Sequence, residues 1–163
     1  MATAGHNLSA INPDLLPSGQ GMKIACVVAE WNSEITHALY EGAKEALQAC
    51  GVLPNDIHHF TVPGTVEITY AAKKLCQGEH YNAIIAIGNV IQGQTRHFDF
   101  VCDSVTQGVT QLNLDYDTPV IFCVLTDNTI EQSRARSGGE HGNKGVEAAA
   151  AAIQMAGLRN LLS

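Results

Sequence analysis

The chain has 163 residues, 45% of them hydrophobic and 15% charged, which suits one well-buried domain and leaves too little length for two ordinary ones. A formal charge of -7 excludes a general nucleic-acid binder, because nothing supplies a broad basic face, although local donors can still hold a small anion. No apolar run reaches membrane-spanning length and no signal-peptide core heads the chain, so a cytoplasmic protein with no membrane partner is expected.

Residues 1–21 scatter Pro, Gly and Asn without a sustained period and read as an N-terminal arm, with a single α/β domain over 22–163. "MKIACVVAE" from Met22 to Glu30 reads as a buried strand. "SEITHALYEGAKEALQACG" follows as a helix. Ile35, Leu39, Ala43 and Leu47 recur on one face, Ser33 is the expected N-cap and Gly51 the stop. "DIHHFTVPG" alternates as a strand ending near Val62, and "VEITYAAKKLCQG" is a short helix despite its β-branched start. "NAIIAIGNVI", "HFDFVCDSVTQGVTQLNLD" and "TPVIFCVLT" continue as strand, helix and strand, before a short helix in "NTIEQSRARSG" and a final one in "KGVEAAAAAIQMAGLRNLL". Such alternation predicts a three-layer αβα fold with four parallel strands and helices on both faces of the sheet, because of how each crossover must return. Strand order is not visible in the sequence, and a flavodoxin-like 2-1-3-4 order is taken as the expectation.

Trp31-Asn32, "VPGTVE" (Val62 to Glu67), "GQTRH" (Gly93 to His97) and Asp127-Asn128 each fall just past the carboxyl end of a predicted strand. Open α/β sheets bind ligands at that edge. In "GQTRH", Gly93 lets the chain turn, and the Gln94 and Thr95 amides at a helix start can hold a phosphate. His97 in the first turn would feel the positive end of the dipole, which favours a neutral imidazole fit for proton transfer. Thr95 as a plain N-cap and His97 as a solvent-facing residue is an equal alternative.

Glu67 could take ligand hydroxyls or merely favour its helix N-terminus, and Trp31 could stack a planar ring or sit in the core. Arg134 and Arg136 read first as solvated side chains, with phosphate pairing the alternative. Lys144 opens the last helix, where a cation opposes the dipole, hinting at a nearby anion. The five cysteines, Cys26, Cys50, Cys76, Cys102 and Cys123, are odd in number with no CxxC, pointing to buried reduced thiols rather than disulfides or zinc. The histidines, His6, His37, His58, His59, His80 and His141 among them, show no metal-ligand spacing, and GxSxG, Walker and GxGxxG motifs are absent.

"EWN..IT..L..GA", "VPGTVE", "IGNVIQGQTRHFDFV", "PVIFCVLT", "IEQSRAR" and "GNKGVEAAAAAIQM", in this order, resemble the 6,7-dimethyl-8-ribityllumazine synthases from about Lys23 onward. The resemblance implies condensation of 5-amino-6-(D-ribitylamino)uracil with 3,4-dihydroxy-2-butanone 4-phosphate, giving the lumazine, phosphate and water without metal or redox cofactor. By matched position it implies proton transfer by His97 and a phosphate site of Gln94, Thr95 and Arg136. Trp31 and Asn32, Thr65, Val66 and Glu67, Asn89, Val90 and Ile91, and Phe122 would hold the aminouracil, with Lys144 in support.

In such enzymes Phe122, Arg136 and Lys144 come from a neighbouring subunit, so a homo-oligomer is implied. A pentamer is expected, and the short "SGGEHGNKG" linker favours a closed icosahedral 60-mer shell, which could enclose riboflavin synthase as a partner. Val66 stands where an aromatic is usual, implying a looser pocket wall. Gln92 stands where an arginine is frequent, leaving the phosphate to Arg136 and the helix amides. A non-catalytic flavin- or lumazine-binding shell and an unrelated phosphosugar enzyme are the competing readings.

Overall fold

The computed structural model describes residues 11–78 and 81–162, so the first ten residues of the expected arm, His6 and His80 lie outside the described residues. The elements are β1 (Ile24–Ala29), α1 (Ser33–Ala49), β2 (Ile57–Val62), α2 (Ile68–Gln77), β3 (Ala83–Ile91), α3 (His97–Asp115), β4 (Val120–Asp127), α4 (Ile130–Arg136), β5 (Ser137–Gly139), β6 (Gly142–Asn143) and α5 (Lys144–Leu162). The main sheet is parallel in the order β2-β1-β3-β4, with Ile24 opposite both Ile57 and Ala83, and Ile84 opposite Val120. This is the expected three-layer αβα arrangement.

The central strands β1 and β3 are apolar almost throughout because both of their faces are covered. The two-residue pleat sends alternate side chains to opposite layers. Ile24, Cys26 and Val28, with Ala83, Ile85 and Ile87, meet α1 and α5. Ala25, Val27 and Ala29, with Ile84 and Ala86, meet α2 and α3. On α1, Ile35, Leu39, Ala43 and Leu47 are buried as their spacing predicts. Truncating such a side chain, as in Leu39→Ala, costs about 2–5 kcal/mol.

The alanine run of α5 works with Gly145 to bring that helix against α1. Ala148, Ala149, Ala152 and Ala156 are buried, and a Cβ at Gly145 would overlap the Leu39 carbonyl. Residues 11–21 lie against this same layer. Ile11 and Leu16 pack on its core, and the Gly19 N–H donates to the Cys50 carbonyl over 2.8 Å.

Several local expectations are corrected. Asn32, not Ser33, is the N-cap of α1, and Ser33 is its first helical residue. Helix α2 begins at Ile68 rather than Val66, because residues 65–67 form a turn that buries Thr65. The linker read in "SGGEHGNKG" contains a small antiparallel ribbon, β5 with β6, allowed by left-handed backbone at Gly138 (φ 122°) and Gly142 (φ 80°). Asn143 staples the ribbon to the scaffold. Its amide donates to the Ala38 carbonyl (2.8 Å), and its Oδ1 accepts from the Gly145 N–H (2.8 Å). All five cysteines are free, but only Cys26, Cys50 and Cys123 are buried; Cys76 and Cys102 are half-buried. Burial pushes the Cys26 and Cys123 thiols up to about 12. Among the described residues no helix is long and apolar enough to cross a membrane, and no cluster of three or more metal-ligating side chains occurs.

Candidate functional site

A cavity of about 590 Å³ opens at the carboxyl edge of the sheet, where β1, β2 and β3 hand over to their helices. Its walls come from the loops singled out in the sequence. Trp31 and Asn32 follow β1, Gly64 to Glu67 follow β2, and Asn89 to Ile91 end β3. Gly93, Thr95 and His97 enter α3. This convergence is a consequence of parallel topology, since every strand of such a sheet delivers its following loop to one edge.

The loop after β1 is held from both sides. The Trp31 N–H donates to the Pro63 carbonyl (3.2 Å), and Asn32 occupies left-handed backbone at φ 60°, the one non-glycine residue with positive φ among the described residues. Asparagine tolerates that conformation better than most. The Asn32 side chain ties the turn to β3 by donating to Asn89 Oδ1 (2.9 Å) and more weakly to the Asn89 carbonyl (3.3 Å). Trp31 is thereby left 73% exposed, so it is not a core residue, and its indole forms one side of the cavity.

Thr65 is buried beneath the second loop, where its hydroxyl donates to the Asn89 carbonyl over 3.4 Å. Gly88 makes this approach possible, because a Cβ there would come within 2.9 Å of Thr65 Oγ1 and 3.0 Å of Ile68 Cδ1. Val66 and Glu67 are exposed and turn toward the cavity mouth.

At the third loop, His97 is the first residue of α3 and is exposed in the single chain. The Thr95 hydroxyl accepts from the His97 N–H (3.4 Å), so Thr95 both lines the cavity and supports the helix start. Arg96 formally caps α3 but turns aside to pair with Asp99 (3.4 Å) and lie over the Phe100 ring. The expected need for glycine at position 93 is not met within the chain. Gly93 has no positive φ, and a Cβ on it would meet nothing within 4 Å. The cavity itself occupies that side.

Four expected site residues are not brought together with the rest. Gln94 is exposed and outside the cavity lining. Phe122 projects from β4, 39% exposed. Arg136 lies in a separate cleft beside Glu131 and His141, with its Nε 4.0 Å from Asp127. Lys144 pairs with Glu147 three residues on, so the anion that its place at a helix N-terminus hinted at is supplied by its own helix. Arg134, the other cation of α4, is held at the surface by a bidentate pair with Glu34 at 2.8 and 3.0 Å. That guanidinium keeps the Glu34 carboxyl below its ordinary range.

Phe98 and Val101 complete the apolar wall and were not singled out from sequence. They begin the i, i+3, i+7 stripe that continues into the core as Val105 and Val109. The signal was present as helical periodicity, but it reads as core until the cavity is seen to open over the first turn.

Comparison with other proteins adds a second line. A family model described as 6,7-dimethyl-8-ribityllumazine synthase matches residues 21–160. A protein of that name from Christiangramia forsetii is 57% identical over 160 residues, covering 98% of this chain and 95% of its own. Another from Flavobacterium johnsoniae is 53% identical over 163 residues, covering 100% of this chain and 86% of its own. One from Porphyromonas gingivalis is 50% identical over 161 residues, covering 99% of this chain and 100% of its own. A match of this breadth makes the chain a member of the 6,7-dimethyl-8-ribityllumazine synthase family.

Proposed function

We propose that the chain condenses 5-amino-6-(D-ribitylamino)uracil with 3,4-dihydroxy-2-butanone 4-phosphate to form 6,7-dimethyl-8-ribityllumazine, phosphate and water, the penultimate step of riboflavin formation. The observation that carries this is the family match across residues 21–160, over a cavity lined by Trp31, Thr65, Asn89 and His97. The reaction needs an amine held against a carbonyl, a proton moved to set up loss of phosphate, and a final ring closure. Most of that is positioning, which a pocket with fixed walls supplies.

In this reading Trp31 stacks on the uracil ring, a role supported by its exposed indole at one wall. Thr65 to Glu67 and Asn89 to Ile91 take the ribityl chain and the ring edge. His97 moves the proton, while the Gln94 and Thr95 amides at the entry to α3 face the phosphate.

A phosphate dianion also calls for a cation, and no lysine or arginine lines the cavity among the described residues. The reading therefore takes Arg136 from a second copy of the chain, with Phe122 closing over the ring and Lys144 in support. Such a contact joins two different surfaces, and repeating it with a rotation that closes gives a ring, here read as the pentamer, from which a 60-mer shell can be built. A cytoplasmic location belongs to the same reading and is supported by five unpaired cysteines.

The test is to mix purified protein with both substrates and follow lumazine absorbance and phosphate release together. Equimolar appearance of the two, well above the uncatalysed rate, is the expected result. Ring binding without turnover would instead support a carrier.

A further inference from the structure

Behind the cavity, four side chains form a hydrogen-bond chain that runs in one direction. Asn32 Nδ2 donates to Asn89 Oδ1 (2.9 Å), Asn89 Nδ2 donates to Ser133 Oγ (2.9 Å), and Ser133 Oγ donates to Asp127 Oδ2 (2.8 Å). Asn89, Ser133 and Asp127 are 1%, 0% and 8% exposed, so bulk water does not compete for these bonds. Ser133 lies on α4 and Asp127 ends β4, so the chain ties the site to an element that contributes nothing to the cavity wall.

The direction is set at the buried end. A carboxylate has no proton to give, and the second oxygen of Asp127 faces Arg136 Nε at 4.0 Å. The single hydroxyl proton of Ser133 must therefore go to Asp127, and toward Asn89 the serine can only accept. Asn89 must then turn its NH₂ to Ser133 and its carbonyl to Asn32. Asn32 in turn engages Asn89 through its own NH₂, which leaves its Oδ1 with no hydrogen bond among the described residues, on a residue that lines the cavity and also the shallower cleft beside Glu30. Reversing any one amide would set two donors or two acceptors against each other in a buried site.

We infer that Asp127 and Ser133 are positioning residues which, through Asn89, fix the amide of Asn32 so that it presents a carbonyl acceptor to the cavity and selects a ligand bearing an N–H donor. The inference rests on the proposed reaction, in which Trp31 and Asn32 lie against the aminouracil ring and its N–H groups, whereas the butanone phosphate, with one hydroxyl and no N–H, is held at the entry to α3. The effect of disturbing the amide of Asn32 should therefore fall first on the aminouracil.

Ser133→Ala removes the acceptor that orients Asn89, while the Asp127 carboxylate keeps its charge and its place facing Arg136. Asp127→Asn is nearly isosteric, and an amide there can donate to Ser133, allowing the whole chain to run backwards with an NH₂ facing the cavity. With full-length protein, Ser133→Ala should raise the KM for the aminouracil on the order of 10-fold, the worth of one good hydrogen bond, while leaving the KM for the butanone phosphate and kcat within about twofold. Asp127→Asn should show the same rise for the aminouracil. Melting temperature and calorimetric binding of the aminouracil are measured alongside.

Parallel rises in both KM values in Ser133→Ala, or unchanged aminouracil binding in both folded variants, would overturn the inference. Should Ser133→Ala fail to fold, the near-isosteric Asp127→Asn decides alone by the aminouracil affinity. Wild-type protein that binds the aminouracil without turning over would count against the proposed reaction, while the change in aminouracil affinity in the variants would still decide the inference.

Discussion

The two faces of the sheet are built from the same strands, yet they are closed in different ways. On the α1–α5 face the helices approach until no side chain fits between Gly145 and the Leu39 carbonyl, and small residues fill the seam. On the α2–α3 face the helices also meet at a glycine, Gly108, where a Cβ would overlap the Thr69 hydroxyl, itself buried without a partner, but the first turn of α3 stands open over the cavity. Along the first face, beyond the loop that starts α1, no described residue lines the cavity. The second must leave room for a ligand, so its apolar stripe passes from core into pocket wall at Phe98 and Val101.

The contrast predicts that the largest loss of stability follows from the smallest change on the closed face. Gly145→Val forces branched bulk against the Leu39 carbonyl and should destabilise the fold by about 3 kcal/mol or more, read by urea unfolding. A variant of wild-type stability would mean that the α1–α5 seam is more pliable than its geometry implies.

On the open face the same logic predicts loss of activity without loss of stability. His97 is exposed at a helix start, so His97→Ala should keep its melting temperature while kcat falls on the order of 10²-fold, within the usual range for acid–base groups. An unaltered kcat would remove His97 from proton transfer and leave orientation as the source of the rate. Next comes Arg136→Ala, which should raise the KM for the butanone phosphate by about tenfold, the worth of a charge-assisted contact. If Arg136 serves a neighbour's cavity, subunits mixed from His97→Ala and Arg136→Ala, assayed at butanone phosphate well below the raised KM, should exceed the average of the two variants assayed apart. Failure to complement would return Arg136 to the cleft where the single chain holds it.

The smallest effect concerns thiols. Cys26 and Cys123 are held up to about 12, so at pH 8 they should resist alkylation while Cys76 and Cys102 are labelled first, as peptide mapping would reveal. Because burial raises these two thiols in the folded state, their contribution to stability is complete below the ordinary thiol value of 9.0 and declines as pH rises beyond it. Double replacement by alanine should flatten that alkaline decline in a melting series.

The alternation of strands and helices was legible because β1 and β3 are apolar runs of strand length and α1 carries its buried residues at helical spacing. The cavity loops were legible too, since Trp31, Thr65 and His97 all follow predicted strands, with Asn89 near the end of one, and topology brings such segments to one edge. Three features were not. The β5–β6 ribbon hid in a glycine-rich stretch whose pairing depends on Asn143 reaching across to α1. The N-cap of α1 moved to Asn32 because a bond to Asn89, 57 residues away, holds that residue in left-handed backbone. Ser133 drew no notice, as a serine within a short helix has no local mark of burial.

Sequence alone therefore determined the layers, the family and the edge at which chemistry is to be sought, since these follow from periodicity and from motifs read in order. Only the tertiary structure decided which polar groups face each other across that edge and which expected site residues stand apart from it. The physical reason is that hydrophobic patterning is local and repeated, whereas the partner of a buried amide or carboxylate is chosen by how distant segments pack.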